Sequence, residues 1–277
     1  MQKDFSLFTA ANNEISVTIY GYESFDKNPV LIYVHGFKGF KDWGFVPYTA
    51  EYFTEKGYTV ITFNFSHNGI GAVKDEFTEL EKFGKNTYSL ETSELSEIID
   101  AYLFGFFGEN PKSKVGLIGH SRGGAVALLT AKKRKEVSVL AVWSSISKVD
   151  RYTERQKKEW IKNGFIEVVN SRTNQSMKLD KNVLDDIENN KEKKLNIENA
   201  VKKYNRPLII IHGEQDLTVP VKEGECIYEW SNKKKTKFVT VPAAGHTFDI
   251  VHPFAGTNQK FNTVLVETEQ FFNKNLF

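Results

Sequence analysis

Six short runs of apolar and β-branched residues restrict most strongly how this chain can fold. They span residues 30–34, 59–65, 115–118, 137–143, 208–211 and 238–241. Near-continuous apolar strands of this kind are typical of parallel sheets that helices cover on both faces. Before them, residues 4–8 and the alternating segment 14–19 predict an N-terminal antiparallel hairpin. The chain is therefore predicted to have an α/β fold with a mostly parallel central sheet.

Helical patterns lie between these runs. Apolar residues recur three and four positions apart from Leu95 to Phe106, with Ser89 as the expected N-cap. A second amphipathic pattern from Phe261 to Phe272 predicts a closing helix. Because strands and helices alternate, we expect right-handed crossovers and helices on both faces of a doubly wound sheet.

The segment 145–200 interrupts this alternation. It holds 12 Lys or Arg and 10 Asp or Glu among 56 residues, well above the 26% of charged residues in the whole chain. It has weak helical patches at 154–161 and 183–190 and no strand of the core type. Apolar residues such as Trp160, Phe165 and Met177 offer anchors, so we expect a helical insertion over the sheet rather than a disordered linker.

Composition excludes several classes of protein. With 37 Lys or Arg against 35 Asp or Glu, the net charge of +2 gives no reason to expect nucleic-acid binding. No apolar run is long enough for a signal peptide or a membrane span, so we expect a cytoplasmic protein with no membrane partner. The single cysteine, Cys226, excludes an internal disulfide framework and is expected to be a buried free thiol. We expect no metal and no cofactor, while the oligomeric state stays unknown.

The strongest chemical signal is the sequence Gly119-His120-Ser121-Arg122-Gly123-Gly124. It follows a predicted strand and precedes a predicted helix, which is the context of a nucleophile elbow of the form Gly-x-Ser-x-Gly. The tight turn requires small residues two positions before and after the serine, and glycine meets that need. We therefore predict Ser121 to be a nucleophile.

A serine hydroxyl needs a base, and six histidines compete for that role. His246 is favoured because it lies in a turn just beyond the last predicted strand and comes last in chain order among the candidates at strand ends. His252, before Pro253, is the alternative. The others end strands, lie in a loop or sit inside the elbow pointing away from the serine: His35, His67, His120 and His212.

The acid that orients the base is expected between serine and histidine in the sequence. Asp216 follows the strand at 208–211 in a loop at its carboxyl end, where a carboxylate can accept the imidazole N–H. Glu214 competes with it, and Asp249 lies only three residues from His246, which is awkward for orienting that ring. Asp216 is therefore the predicted acid.

Acyl transfer also needs hydrogen-bond donors for the developing oxyanion. The backbone N–H of Arg122, directly after the nucleophile, is one candidate. The loop after the strand at 30–34 offers the other, because Gly36 permits a sharp turn that can point the Phe37 N–H inward.

These residues and their order resemble the α/β-hydrolase superfamily. By that resemblance Ser121, Asp216 and His246 form the catalytic triad, Phe37 and Arg122 form the oxyanion hole, and residues 1–277 form a single domain with a cap insertion at 145–200. The HGFKGFKDWG loop and the HTFDIVHPF segment are similar to the dienelactone-hydrolase-like and cinnamoyl-esterase-like branch. Dienelactone hydrolases use a cysteine nucleophile, and serine at position 121 favours an esterase.

The predicted activity is that of a serine carboxylesterase acting on small soluble esters through an acyl-enzyme. The alternatives are a serine peptidase for short peptides, which shares this triad, and a non-catalytic ligand receptor on the same fold. A charged insertion disfavours a lipase, which needs a broad apolar surface. We expect Trp160, Phe165 and Met177 of the insertion, with the aromatic residues of the 37–45 loop, to be candidates to line the substrate pocket.

Overall fold

The computed structural model describes residues 1–110, 114–170 and 172–276, and its strands follow the predicted apolar runs. The described strands are β1 (Gln2–Phe8), β2 (Glu14–Tyr20), β3 (Val30–Val34), β4 (Thr59–Phe63), β5 (Val115–His120), β6 (Val137–Trp143), β7 (Phe165–Asn170), β8 (Gln175–Asp180), β9 (Leu208–Gly213) and β10 (Thr236–Val241). The described helices are α1 (Phe45–Glu55), α2 (Leu80–Gly84), α3 (Tyr88–Leu103), α4 (Arg122–Ala131), α5 (Glu154–Asn163), α6 (Lys181–Asn190), α7 (Ile197–Tyr204), α8 (Val221–Trp230) and α9 (Gln259–Leu276).

Eight of the described strands form one sheet in the order β1-β2-β4-β3-β5-β6-β9-β10. The pairs β1–β2 and β2–β4 are antiparallel, and all other neighbours in this sheet are parallel. The predicted fold class, a mostly parallel sheet with an N-terminal antiparallel hairpin, is thereby confirmed. The carboxyl ends of the parallel strands share one edge, and the loops after β3, β5, β9 and β10 meet there.

The central strands bury both of their faces, which explains their near-continuous apolar sequence. In β3, Val30, Ile32 and Val34 point into a core shared with α3, α4 and α7. Leu31 and Tyr33 point into a second core, which α1 and α9 cover from the opposite side. Alternate residues of β3 therefore pack against helices on opposite faces of the sheet, because successive side chains of a strand point to opposite faces.

Two local predictions were wrong. Helix α3 begins after Thr87, whose hydroxyl accepts the Leu90 N–H at 3.1 Å, whereas Ser89 lies inside the first turn and bonds Asp186. Thr87 has the extended backbone that an N-cap needs. Cys226 of α8 is half-buried rather than fully buried, because α8 turns mainly Gly224 and Ile227 toward the core.

The insertion at 145–200 is more than a pair of helices, which corrects the expected helical cap. Between α5 and α6 the chain forms an antiparallel hairpin of β7 and β8, in which Ile166 pairs with Leu179 and Val168 with Met177. Ser171, which follows Asn170 in the sequence, lies outside the described residues. Each cross-strand pair joins apolar residues on one face, and Met177 and Leu179 are buried in the first core.

Hydrogen bonds tie the insertion to the segment between β4 and α3. Gln175 Nε2 donates to the Phe77 carbonyl oxygen at 3.0 Å, and Asn182 Nδ2 donates to that of Lys85 at 3.2 Å. The Ser89 N–H donates to the Asp186 carboxylate at 3.0 Å. The insertion therefore packs on the molecule, while its assignment as part of a single domain stays a prediction. None of the described helices is long and apolar enough to cross a membrane.

Candidate active site

Ser121 occupies a sharp turn between β5 and α4. Its backbone has φ 57° and ψ −124°, a region that non-glycine residues rarely adopt and that costs about 1–3 kcal/mol. The turn is possible because its glycines leave no room for side chains. A Cβ on Gly119 would lie 2.5 Å from the Gly123 carbonyl oxygen, and one on Gly123 would lie 2.2 Å from that of Val34. The strain holds the serine hydroxyl above the carboxyl edge of the sheet.

Replacing Gly123 by alanine is expected to lower the free energy of unfolding by about 3 kcal/mol or more, because the new methyl group would meet backbone atoms that cannot move aside. Urea denaturation of the wild type and the variant measures this loss. Gly245→Ala is the control, since its Cβ would approach only one atom, Asp249 Oδ1 at 3.2 Å. Equal stability of Gly123→Ala and the wild type would contradict the crowding described here.

The structure brings Ser121, His246 and Asp216 together in one hydrogen-bonded chain. Ser121 Oγ lies 2.9 Å from His246 Nε2, and His246 Nδ1 lies 2.7 Å from Asp216 Oδ2. An ionised carboxylate can only accept, so Nδ1 carries the proton and Nε2 of the neutral ring accepts the serine O–H. This is the geometry that a serine nucleophile and its base require.

The competing residues lie elsewhere. The Nδ1 atom of His252 accepts the Gly44 N–H at 2.9 Å, and its ring stacks on Trp43. Glu214 accepts the Thr240 hydroxyl at 2.9 Å, and Asp249 accepts the Gly245 N–H at 3.0 Å. Of the three acids considered, only Asp216 contacts His246.

Asp216 is buried but remains charged. Its Oδ1 atom accepts the N–H groups of Thr218 at 2.9 Å and Val219 at 2.8 Å, and His212 Nε2 lies 3.4 Å from Oδ2. Burial raises the pKa of Asp216, but the hydrogen bonds from His212 and His246 outweigh that effect and lower the pKa below its usual range. The carboxylate is therefore ionised at neutral pH and can hold the imidazole.

Sequence reasoning missed the contribution of His120. It was expected to point away, yet its Nε2 donates to the His246 carbonyl oxygen at 3.0 Å and the two rings lie 4.9 Å apart. Burial, followed by the neighbouring His246, lowers the pKa of His120 to about 3, so the ring is neutral. His120 thus anchors the backbone of the loop that carries His246. The position of His120, one residue before Ser121, could have indicated this role, because it lies at the same edge of the sheet.

The loop after β3 lies directly against Ser121. A Cβ on Gly36 would be 3.0 Å from Ser121 Cβ, so only glycine allows this approach. In the described part of the chain, the backbone N–H groups of Phe37 and Arg122 have no hydrogen-bond acceptor. The Arg122 side chain is buried, and its Nε donates to Glu91 at 2.7 Å. Two free backbone donors are thus present on the loops that flank Ser121.

Ser121 and His246 line a cavity of about 390 Å³, within the usual range for small-molecule sites. Its wall includes the aromatic residues Tyr33, Phe37, Phe40, Trp43, Phe45, Tyr88 and Tyr152. The aromatic residues of the 37–45 loop therefore line the cavity. Trp160, Phe165 and Met177 do not, contrary to expectation. Trp160 is buried against Tyr152 instead, and Met177 is buried in the first core.

Among the described residues, no group of three or more His, Cys, Asp or Glu side chains is placed to hold a metal ion. Several titratable residues around Ser121 are engaged with one another or with backbone atoms. His35, for example, contacts the Phe65 N–H through Nε2 at 3.3 Å, and burial lowers its pKa to about 4.

The fold is shared with several solved structures over nearly their full lengths. Est1E from Butyrivibrio proteoclasticus, with bound ferulic acid, is 19% identical, with 98% of this chain and 99% of that chain covered and a TM-score of 0.72. The α/β hydrolase GrgF from Penicillium sp. sh18 is 16% identical, with 99% and 98% covered and a TM-score of 0.76. Mouse α/β hydrolase domain-containing protein 10 is 15% identical, with 98% and 99% covered and a TM-score of 0.74.

At these identities the likeness shows the fold alone, which is the α/β-hydrolase fold. None of the curated proteins matches the chain. A family model does match: residues 104–273, which are 170 of the 277, fit the C-terminal domain of the BAAT / acyl-CoA thioester hydrolases. The chain therefore belongs to the BAAT / acyl-CoA thioester hydrolase C-terminal family, a hydrolase family with the α/β-hydrolase fold.

Proposed function

We propose that the protein hydrolyses small soluble carboxylic esters through an acyl-enzyme formed on Ser121. The observation that carries this proposal is the hydrogen-bonded chain from Ser121 Oγ through His246 to Asp216, with distances of 2.9 and 2.7 Å. The buried, ionised Asp216 supports it, because the carboxylate fixes the tautomer in which Nε2 can accept a proton. Two free backbone N–H groups beside Ser121 add the donors that acyl transfer needs.

The mechanism follows from these positions. Ser121 Oγ attacks the ester carbonyl carbon while its proton passes to His246 Nε2, and the N–H groups of Phe37 and Arg122 stabilise the oxyanion. The tetrahedral intermediate collapses, and His246 returns the proton to the departing alcohol oxygen. Water then attacks the acyl-enzyme with His246 again as base, which releases the acid and restores the Ser121 hydroxyl.

The cavity supports a small substrate with aryl or short acyl groups. Its volume of about 390 Å³ and its aromatic walls suit a compact apolar group, and Phe37 lies next to one proposed oxyanion donor. The insertion contributes Tyr152 and Asn170 to the wall. We therefore propose that the insertion influences substrate choice while the triad performs the chemistry.

A thioester is the second candidate substrate, and the family match favours it. The same triad can cleave either bond, since both reactions pass through a tetrahedral oxyanion on the acyl carbon. The two differ in the leaving group, a thiol or an alcohol, so pairs of substrates with the same acyl group distinguish them.

A labelling experiment combined with a substrate panel tests the proposal. We expect a fluorophosphonate to add to the wild-type protein once, at Ser121, as intact mass and peptide mapping would show. We also expect turnover of p-nitrophenyl acetate or butyrate, and a thioester with the same acyl group measures the second candidate. Failure of labelling together with absence of turnover on every ester and thioester would favour the non-catalytic receptor. Cleavage of aminoacyl amides in preference to esters would favour the peptidase.

A further inference from the structure

Two cationic side chains line the wall of the cavity without an acidic partner. Lys38 belongs to the loop after β3, and Arg172 follows β7 of the insertion. Lys38 Nζ donates to the Val169 carbonyl oxygen at 3.0 Å, and Arg172 Nη2 donates to that of Lys38 at 3.3 Å. Within the described residues neither makes an ion pair, so most of their N–H groups remain available.

The other two arginines of the cavity wall differ from this pair. Arg122 is paired with Glu91 at 2.7 Å, and Arg151 is paired with Glu223. Their charges are therefore already compensated inside the protein. Among the described Lys and Arg side chains of the cavity wall, Lys38 and Arg172 are therefore the ones without a paired carboxylate.

Asn170 adds an unused donor at the same place. It lines the cavity, is only 3% exposed, and its Oδ1 accepts the Arg172 N–H at 3.2 Å. Its Nδ2 is buried and has no partner among the described residues. Buried amide donors are normally satisfied, so an unpaired one that lines a cavity indicates a missing acceptor.

The surroundings make these positive charges unfavourable without a counter-ion. Burial lowers the pKa of Lys38, and the charge of Arg172 lowers it further. Burial also lowers the pKa of Arg172, whose guanidinium lies 5.9 Å from the centre of the Phe40 ring and 5.6 Å from that of Trp43. An anion between the two cations would relieve both effects.

We propose that Lys38, Arg172 and Asn170 bind a carboxylate carried by the ester substrate, away from the scissile bond. The planar guanidinium can bind both oxygens of a carboxylate, while the ammonium and the amide donate to the remaining lone pairs. The assignment of the ligand as an ester rests on the proposed function. The carboxylate belongs to either the acyl group or the leaving group, and the experiment has one arm for each.

Kinetics with matched acidic and neutral esters test the site. The acyl arm compares monomethyl with dimethyl esters of succinate, glutarate, adipate and suberate, and the leaving-group arm compares 4-acetoxybutanoate with its methyl ester. Because hydrogen bonds to charged groups are the stronger ones, Lys38→Met and Arg172→Met should each lower the acidic-to-neutral ratio of kcat/KM by at least about 10-fold in one arm.

Two controls remove a similar charge outside the cavity. Lys178→Met removes an exposed charge from β8. Arg155→Met removes a charge from α5, where the side chain is paired with Glu159. Both should leave the ratio unchanged. If Lys38→Met and Arg172→Met also leave it unchanged in both arms, the proposal is wrong.

A binding measurement separates this site from the proposed reaction. We expect Ser121→Ala to bind the preferred monoester at least about 10-fold more tightly than its neutral diester by calorimetry, and addition of Arg172→Met should remove that preference. Such binding without turnover in the wild type would reject the esterase and keep the anion site. Turnover of neutral esters with no preference for the monoester would support the esterase and reject the anion site. Asn170→Asp, which keeps the Oδ1 acceptor and replaces the donor with a carboxylate oxygen, should disfavour the monoester.

Discussion

Ser121→Ala is expected to lower kcat for ester hydrolysis by about 10⁶-fold, because it removes the oxygen atom on which we propose that the acyl-enzyme forms. The hydroxyl oxygen lies 2.9 Å from His246 Nε2, so the loss also leaves the base without its proton donor. The methyl side chain of alanine fits the same site, and the glycines of the turn are unchanged. The fold should therefore persist while the chemistry fails.

Initial rates on a p-nitrophenyl ester measure this loss, and thermal unfolding confirms that the variant is folded. Ser138→Ala is the matched control. Ser138 lies at the start of β6, at the opposite end of that strand from the carboxyl edge, and its hydroxyl donates to the Val115 carbonyl oxygen. It should retain wild-type turnover. A Ser121→Ala protein that kept more than a few per cent of the wild-type rate would exclude Ser121 as the nucleophile.

The sheet could be predicted from the sequence because its strands carry an unusual physical requirement. A strand such as β3 must bury every side chain, Val30, Ile32 and Val34 on one face and Leu31 and Tyr33 on the other. A short apolar run can also belong to a buried helix, but the β-branched residues of this run and the Pro29 before it favour a strand. Strand ends then mark where loops meet, so the sequence alone predicts that Ser121, Asp216 and His246 lie at one edge of the sheet.

The insertion could not be predicted as well, because its strands bury one face only. Ile166 and Val168 flank the polar Glu167 and pair with Leu179 and Met177, but the apolar Phe165 and Val169 break the alternation, so the hairpin pattern is weaker than the core runs. The sequence therefore indicates apolar anchors in this segment but does not reveal the hairpin that they form.

The composition of the cavity wall depends on how that insertion packs. Trp160 was a reasonable candidate by type, but it contacts Tyr152 with a ring separation of 4.9 Å, and it is Tyr152 that reaches the cavity. No local pattern predicts that Asn170 and Arg172, at the end of β7 and just beyond it, line the cavity. Tertiary packing, which no local pattern encodes, decides which face of the insertion covers the site.

Asp216→Asn is expected to lower kcat by about 10⁴-fold at neutral pH, the size of effect seen when the acid of a Ser-His-Asp triad becomes an amide. The new side chain can still accept the Thr218 and Val219 N–H groups through Oδ1. Its amide nitrogen, however, would donate to His246 Nδ1 and favour the tautomer that carries the proton on Nε2. That proton would point at Ser121 Oγ, and the ring could no longer act as a base.

The pH dependence of the free energy of unfolding provides a second measurement for the Asp216→Asn variant. The folded-state pKa of Asp216 lies below its unfolded value, so the carboxylate contributes stability that is present above the unfolded pKa, about 3.9, and is lost as pH falls toward the folded pKa. We therefore expect Asp216→Asn to be less stable than the wild type at pH 7, with the difference shrinking below about pH 4. Urea denaturation at several pH values measures it.

Glu214→Gln and Asp249→Asn are the matched controls, since each neutralises an acid close to the triad in sequence. Glu214 bonds Thr240, and Asp249 bonds the Gly245 N–H and Lys260, so neither sets the tautomer of His246. Both variants should keep most of the wild-type turnover. If Glu214→Gln lost most of its kcat while Asp216→Asn lost little, Glu214 would be the acid. If Asp249→Asn lost most of its kcat instead, Asp249 would be the acid. In either case the 2.7 Å contact between Asp216 and His246 would be structural rather than catalytic.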